Sequence, residues 1–136
     1  MALHDPLLVC RQILLADPAV AAIVGTRVYA TPVLPKDHTY PLIRLTHIGS
    51  SDYSPVGFRH AATATVQLDA WALTMPELYD LKEQALSALH DTPPAGSGAS
   101  RIAVTSEVME IDESLQPALY RCRADIAVRV GVVPVP

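Results

Sequence analysis

Three arginines, Arg121, Arg123 and Arg129, hold odd-numbered positions in a stretch whose even positions are apolar. In an extended strand such positions share one face, so the guanidinium groups line up and offer planar, bidentate donors to whatever lies over the sheet. The row has two uses open to it: it can meet an acidic partner, or it can be neutralised within the chain by Asp125 and by cross-strand acids such as Asp69. Tyr53 and Phe58 are lone aromatics in a polar segment with glycine and proline. Exposed aromatics of that kind anchor contacts with partners, the alternative being that they pack back onto their own chain.

The other reactive side chains do not converge. Glu107, Glu110, Asp112 and Glu113 form an acidic cluster, but acid/base work would need a pocket to raise one carboxyl, and a strand end reads as a solvated turn. His4, His38, His47, His60 and His90 fall on different expected elements, none with a second histidine or cysteine at ligand spacing. Cys10 and Cys122 are far apart and without a CxxC pattern, so they read as small buried hydrophobes rather than a disulfide or a zinc site. Gly96-Ser97-Gly98 lacks the strand-to-helix setting of a nucleophile elbow. No phosphate-binding, dinucleotide-binding or calcium-binding motif is present. The expectation is of no catalytic residue, cofactor or metal.

Composition narrows the class further. With 136 residues, half of them hydrophobic and 18% charged, the chain can bury a core and reads as one domain. A net charge of -4 and only two lysines, Lys36 and Lys82, argue against sequence-specific nucleic-acid binding. No apolar run reaches the ~18 residues that suggest a membrane helix, and Asp5 stands where an export signal would carry basic charge. Synthesis in a cytosol without export, and no membrane partner, are the expectations.

The elements that must position these residues follow from period and punctuation. Asp5-Pro6 and Asp17-Pro18 each place a capping carboxylate before a first-turn proline. They predict a helix to about Ala16 and a short one from 18 to 24, stopped by Gly25, the two making a corner. Arg27 to Leu34 reads as a weak edge strand broken by Pro32 and Pro35, and Pro41 to Gly49 as a strand. Ser50 to Arg59 reads as a long hairpin arm or loop. From His60 to Leu73 the alternation is clean, with Ala62, Ala64, Val66, Leu68, Ala70 and Ala72 opposed to Thr63, Thr65, Gln67, Asp69 and Trp71. Thr74-Met75-Pro76-Glu77 is a capping box opening a helix to about His90. A loop over Asp91 to Ser100 then precedes a strand from Arg101 to Ile111 with a bulge near Ser106. Past an acidic turn comes the long arginine-bearing strand, with residues 131–136 as an extended tail. The order α-α-β-β-β-α-β-β predicts an α+β fold, a mostly antiparallel sheet of about five strands with helices on one face. The other face is left polar.

Several of these segments carry a resemblance. Asp17-Pro18-Ala19-Val20-Ala21-Ala22-Ile23-Val24-Gly25-Thr26-Arg27-Val28-Tyr29 resembles the opening of the tail-completion, or tail-terminator, family of long-tailed bacteriophages. Tyr40-Pro41-Leu42-Ile43-Arg44-Leu45, the threonine-rich strand from Thr63 to Trp71, the helix after it and the strand from Tyr120 to Val130 follow in the family's order. The resemblance runs from about Leu8 to Val130, while the segments Ser50 to Arg59 and Asp91 to Ser100 match no fixed family motif.

That resemblance implies a non-enzymatic virion protein of the tail's neck region. It would cap the tail tube, end its polymerisation and present the tail-side surface for head joining, as a six-fold ring. Its partners would be further copies of itself, the tail tube protein and the head-tail connector protein, with genomic DNA passing through the ring. Arg121, Arg123, Arg129, Tyr53 and Phe58 are its expected interface residues. Other readings are a head-completion or connector subunit, a host-directed binding protein, and a small hydrolase or ligand-binding domain using a cleft near His60, Asp69 and the acidic turn.

Overall fold

Each helix begins where a side-chain oxygen can accept from amides that have no partner in the first turn. The computed structural model describes residues 3–52, 61–90, 93, 96–115 and 118–131. Asp5 accepts from the Leu7 amide at 2.9 Å and opens α1 (Pro6–Ala16). Asp17 accepts from Ala19 and Val20 at 3.0 and 3.1 Å and opens α2 (Pro18–Val24). The two helices meet at 90°. Thr74 Oγ1 accepts from the Glu77 amide at 3.3 Å at the start of α3 (Met75–Leu89). Gly25 ends α2 with φ 60° and ψ -120°, a conformation open to glycine, while its amide donates to Ala21 at 2.8 Å.

The strands are β1 (Val28–Tyr29), β2 (Leu42–Asp52), β3 (Ala61–Ala72), β4 (Ala99–Asp112) and β5 (Leu119–Gly131), in the sheet order β1-β2-β3-β5-β4. All neighbours are antiparallel except β1 and β2. The expected α+β class and element order are what the structure shows.

One face of the sheet is sealed by the three helices. Ala62, Ala64, Val66, Leu68, Ala70 and Ala72 of β3 and Cys122, Ala124, Ile126, Val128 and Val130 of β5 are buried there. Against them pack Leu78, Leu81, Ala85 and Leu89 of α3, Cys10, Ile13 and Leu14 of α1, and Val20 and Val24 of α2. The alanines on β3 leave room for helices to lie close over the sheet, and the branched and longer side chains of the helices fill that room. Among the described residues no single helix is long and apolar enough to cross a membrane.

Boundaries differ from expectation where backbone donors decide them. The edge strand expected over Arg27 to Leu34 is two residues long, because Pro32 and Pro35 cannot donate to a ladder. β2 runs on past Gly49: Ser50, Ser51 and Asp52 pair with Ala64, Thr63 and Ala62 beyond a register shift between His47 and Gly49. The arm therefore begins later than Ser50, and its remainder, Tyr53 and Phe58 included, lies outside the described residues. Ala99 and Ser100, expected in a loop, belong to β4. The bulge near Ser106 is present as a shift between Val104 and Ser106. Gly131, assigned to the tail by sequence, is the last residue of β5 and pairs with Ala61, while 132–136 lie outside the described residues.

Gly25→Ala is expected to cost about 1–3 kcal/mol from backbone conformation alone, since an added methyl would meet nothing closer than Arg27 Nη1 at 3.9 Å. Gly49→Ala, with nothing within 4 Å of the new methyl and no positive φ, should stay within about 0.5 kcal/mol of wild type. Urea denaturation of both variants checks the contrast.

Candidate functional site

Opposite the helices, β3 places Asp69 on the polar face yet wholly out of water. Strand register explains its company. Asp69 stands directly across from Arg44 of β2 and Arg123 of β5, with Arg121 one diagonal step away. Arg44 Nη2 donates to one carboxylate oxygen at 3.1 Å, and Arg121 donates to the other through Nη2 at 2.6 Å and Nε at 3.0 Å. Gln67 Nε2, two residues back on the same strand, reaches both oxygens at 3.2 and 3.0 Å. Trp71, two residues on, lies against both guanidinium groups, 5.0 Å from Arg44 and 5.3 Å from Arg121. A buried carboxylate is tolerated only when paired and hydrogen-bonded, and this one accepts from three side chains on three strands. No lone pair is left exposed for proton abstraction, and His60, its suggested neighbour in a hydrolase cleft, lies outside the described residues.

The expected arginine row exists on one face of β5, but its members have different surroundings. Arg121 is committed to Asp69 and lies 3.9 Å from Glu110 of β4. Arg123, about 43% exposed, lies 3.7 Å from the same glutamate. Arg129 is at the far end, directly across from Arg101 of β4. These two arginines, with Thr63, Thr105, Ala103 and Ala127, line an open hollow of about 360 Å³. Asp125, expected to neutralise the row, accepts from Ser106 Oγ at 3.1 Å.

On the helix side, sequence reasoning missed Lys82. It lies in the buried stripe of α3, donates to Glu83 at 2.6 Å, approaches Glu107 of β4 at 3.4 Å and stacks on Tyr79 at 4.6 Å. The hydrogen bond to Glu83, then the charge of Glu107, raise its pKa above the ordinary 10.5 against the opposing pull of burial. Both cysteines are free and buried; burial pushes Cys10 up to about 12 and Cys122 up to about 11, which makes them inert at neutral pH. His90 Nδ1 accepts from the Val104 amide at 3.1 Å and ties the end of α3 to β4. Among the described residues no three His, Cys, Asp or Glu side chains gather as a metal site.

Arg44, Gln67 and Trp71 were not singled out as partners of Asp69, although the pattern holds the signal. All three project to the face of the acid, Gln67 and Trp71 by period two and Arg44 by register. For Lys82 the signal was its spacing, four residues after Leu78 and three before Ala85 on an apolar stripe.

A mostly antiparallel five-stranded sheet backed by helices on one face defines the α+β class, and a known structure shares that fold. One solved structure to which the chain is similar is described as the virion of a native gene transfer agent particle. The match has a TM-score of 0.68 at 17% identity, covering 93% of this chain and 95% of that one. No curated protein matches. The family model of the tail completion protein gp17 matches residues 10–131, and the chain belongs to that family. It is a structural protein of a bacteriophage virion, located in the tail.

Two measurements probe the geometry. Asp69→Ala should destabilise by about 3 kcal/mol, the low end for breaking a buried pair, because Arg44 and Arg121 keep roughly a quarter of their side-chain exposure and can rehydrate. A double-mutant cycle with Arg121→Ala should show clear non-additivity. The folded chain holds the Lys82 proton more tightly than the unfolded one. Its contribution is therefore complete below pH 10.5 and lost as pH rises further. Lys82→Met should flatten the alkaline limb of the stability-pH curve relative to wild type.

Proposed function

We propose that this chain caps the finished tail tube, ends its polymerisation and forms the tail-side surface for head joining. It acts as one domain in a ring of six copies, without catalytic activity. Its partners are further copies, the tail tube protein and the head-tail connector protein. Genomic DNA passes through the ring without being read, and the protein is made and assembled in the host cytoplasm. The observation that carries this reading is the family match over residues 10–131. The geometry supports it: Asp69 is consumed by structural contacts, and a face held rigid by cross-strand ion pairs suits a docking surface. Arg123 and Arg129, together with the segment bearing Tyr53 and Phe58, supply contacts to neighbours.

Disrupting the gene in its phage and measuring tails by electron microscopy tests the assignment. Overlong or ragged tails unattached to heads are expected. Tails of normal length that fail to join filled heads would move the role to a connector subunit, and normal infectious particles would overturn both.

A further inference from the structure

The two ends of β4 carry opposite charge. At its start, Arg101 stands beside Arg129 across the β4–β5 ladder, an arrangement that costs stability when like charges face each other directly. Arg129 is itself partnered, whereas Arg101 is exposed and makes no ion pair among the described residues. The hollow they line has a floor of Ala103 and Ala127 and walls of Thr63 and Thr105, with space for a carboxylate and an adjoining apolar side chain. At the other end, the β4–β5 hairpin carries Asp112 and Glu113 between two apolar side chains, Ile111 and Leu115, that are 48% and 43% exposed. Residues 111–115 are all exposed among the described residues.

The hairpin end cannot fill the hollow of its own chain. Eleven strand steps separate Arg101 from Asp112, roughly 35 Å at about 3.3 Å per residue, and the ladder with β5 holds them apart over that length. We propose that the Arg101 hollow receives the acidic hairpin end of a second copy of this chain, with Glu113 facing Arg101 and Leu115 or Ile111 over the alanine floor. Because donor and acceptor are different surfaces, each docked copy still offers one of each, so the contact is heterologous and propagates until a rotation closes it. This deepens the ring reading above and rests on it. A phosphate backbone is the poorer occupant: two arginines are few for a polyanion, and the same face ends in acids.

Charge exchange tests the contact by sedimentation velocity on the full-length chain over a concentration series at low salt. Arg101→Glu alone and Glu113→Lys alone should each weaken self-association at least about tenfold, since each sets like charges together. The double variant R101E/E113K, and an equimolar mixture of the two single variants, should both recover it, because each restores an opposite-charge pair. Both positions are exposed, and unchanged thermal melting confirms folding. Unaltered association of the single variants, failure of both the double variant and the mixture to recover, or wild-type protein that stays monomeric to millimolar concentration would overturn the proposal. So would a variant R101E that loses affinity for double-stranded DNA while associating normally. Tail lengths after gene disruption separate the two readings: abnormal tails with no charge-exchange effect reject this contact alone, whereas normal particles with a full charge-exchange effect reject the tail role alone.

Discussion

A carboxylate with no exposure to water constrains everything around it. Asp69 is such a group, and an unpaired charge at that depth would cost several kcal/mol. Its pairing draws one arginine from β2, another from β5 and a glutamine from β3 itself. It thereby fixes the relative position of three strands from the side opposite the core. Register is the quantity protected. A one-residue slip of β3 would turn Asp69 toward the apolar helix layer and bring Leu68 and Ala70 out to the arginines. Both faces of β3 therefore specify the same pairing, one by exclusion of water and the other by charge.

The helix face is tied to the sheet by a second polar device. Lys82 lies within an apolar stripe yet reaches Glu107 on the edge strand, and His90 takes a β4 amide one helical stretch later. α3 is thus bound to β4 at two points along its length, where packing alone is thinner because much of β4 past Thr105 is exposed on both sides. A long edge strand standing clear of the core needs such tethers more than a central strand does.

Most of the architecture was legible because it rests on local rules. Proline and capping residues set all three helix starts, and alternation set β3 and β5 to within a residue or so. The extent of β1 and β2 was not legible, since it depends on which backbone amides find a neighbour across the sheet and not on the segment's own pattern. The candidate face was half legible. Period two put Arg121, Arg123 and Arg129 in one row, but the row's division depends on what the adjacent strands bring: Asp69 takes Arg121, Glu110 approaches Arg123, and Arg101 stands beside Arg129. Strand order β3-β5-β4 decides that division, and no property of β5 alone encodes it. The place of Lys82 in the buried stripe was not legible from the helix alone, since its charge is met by a glutamate on a strand 25 residues away.

Both edges of the sheet carry features that disfavour pairing with another strand. An exposed strand edge invites pairing with another chain. β1 limits the risk by being two residues long and followed by prolines. β4 is 14 residues long and limits it differently, with a bulge at Thr105 and acids at Glu107, Glu110 and Asp112 along its exposed half. The same acids that repel a second β4 edge are attractive to a basic surface. Charge on this strand therefore disfavours indiscriminate edge-to-edge pairing while leaving open a contact between unlike surfaces, and only that second kind of contact can repeat from copy to copy around a closed ring.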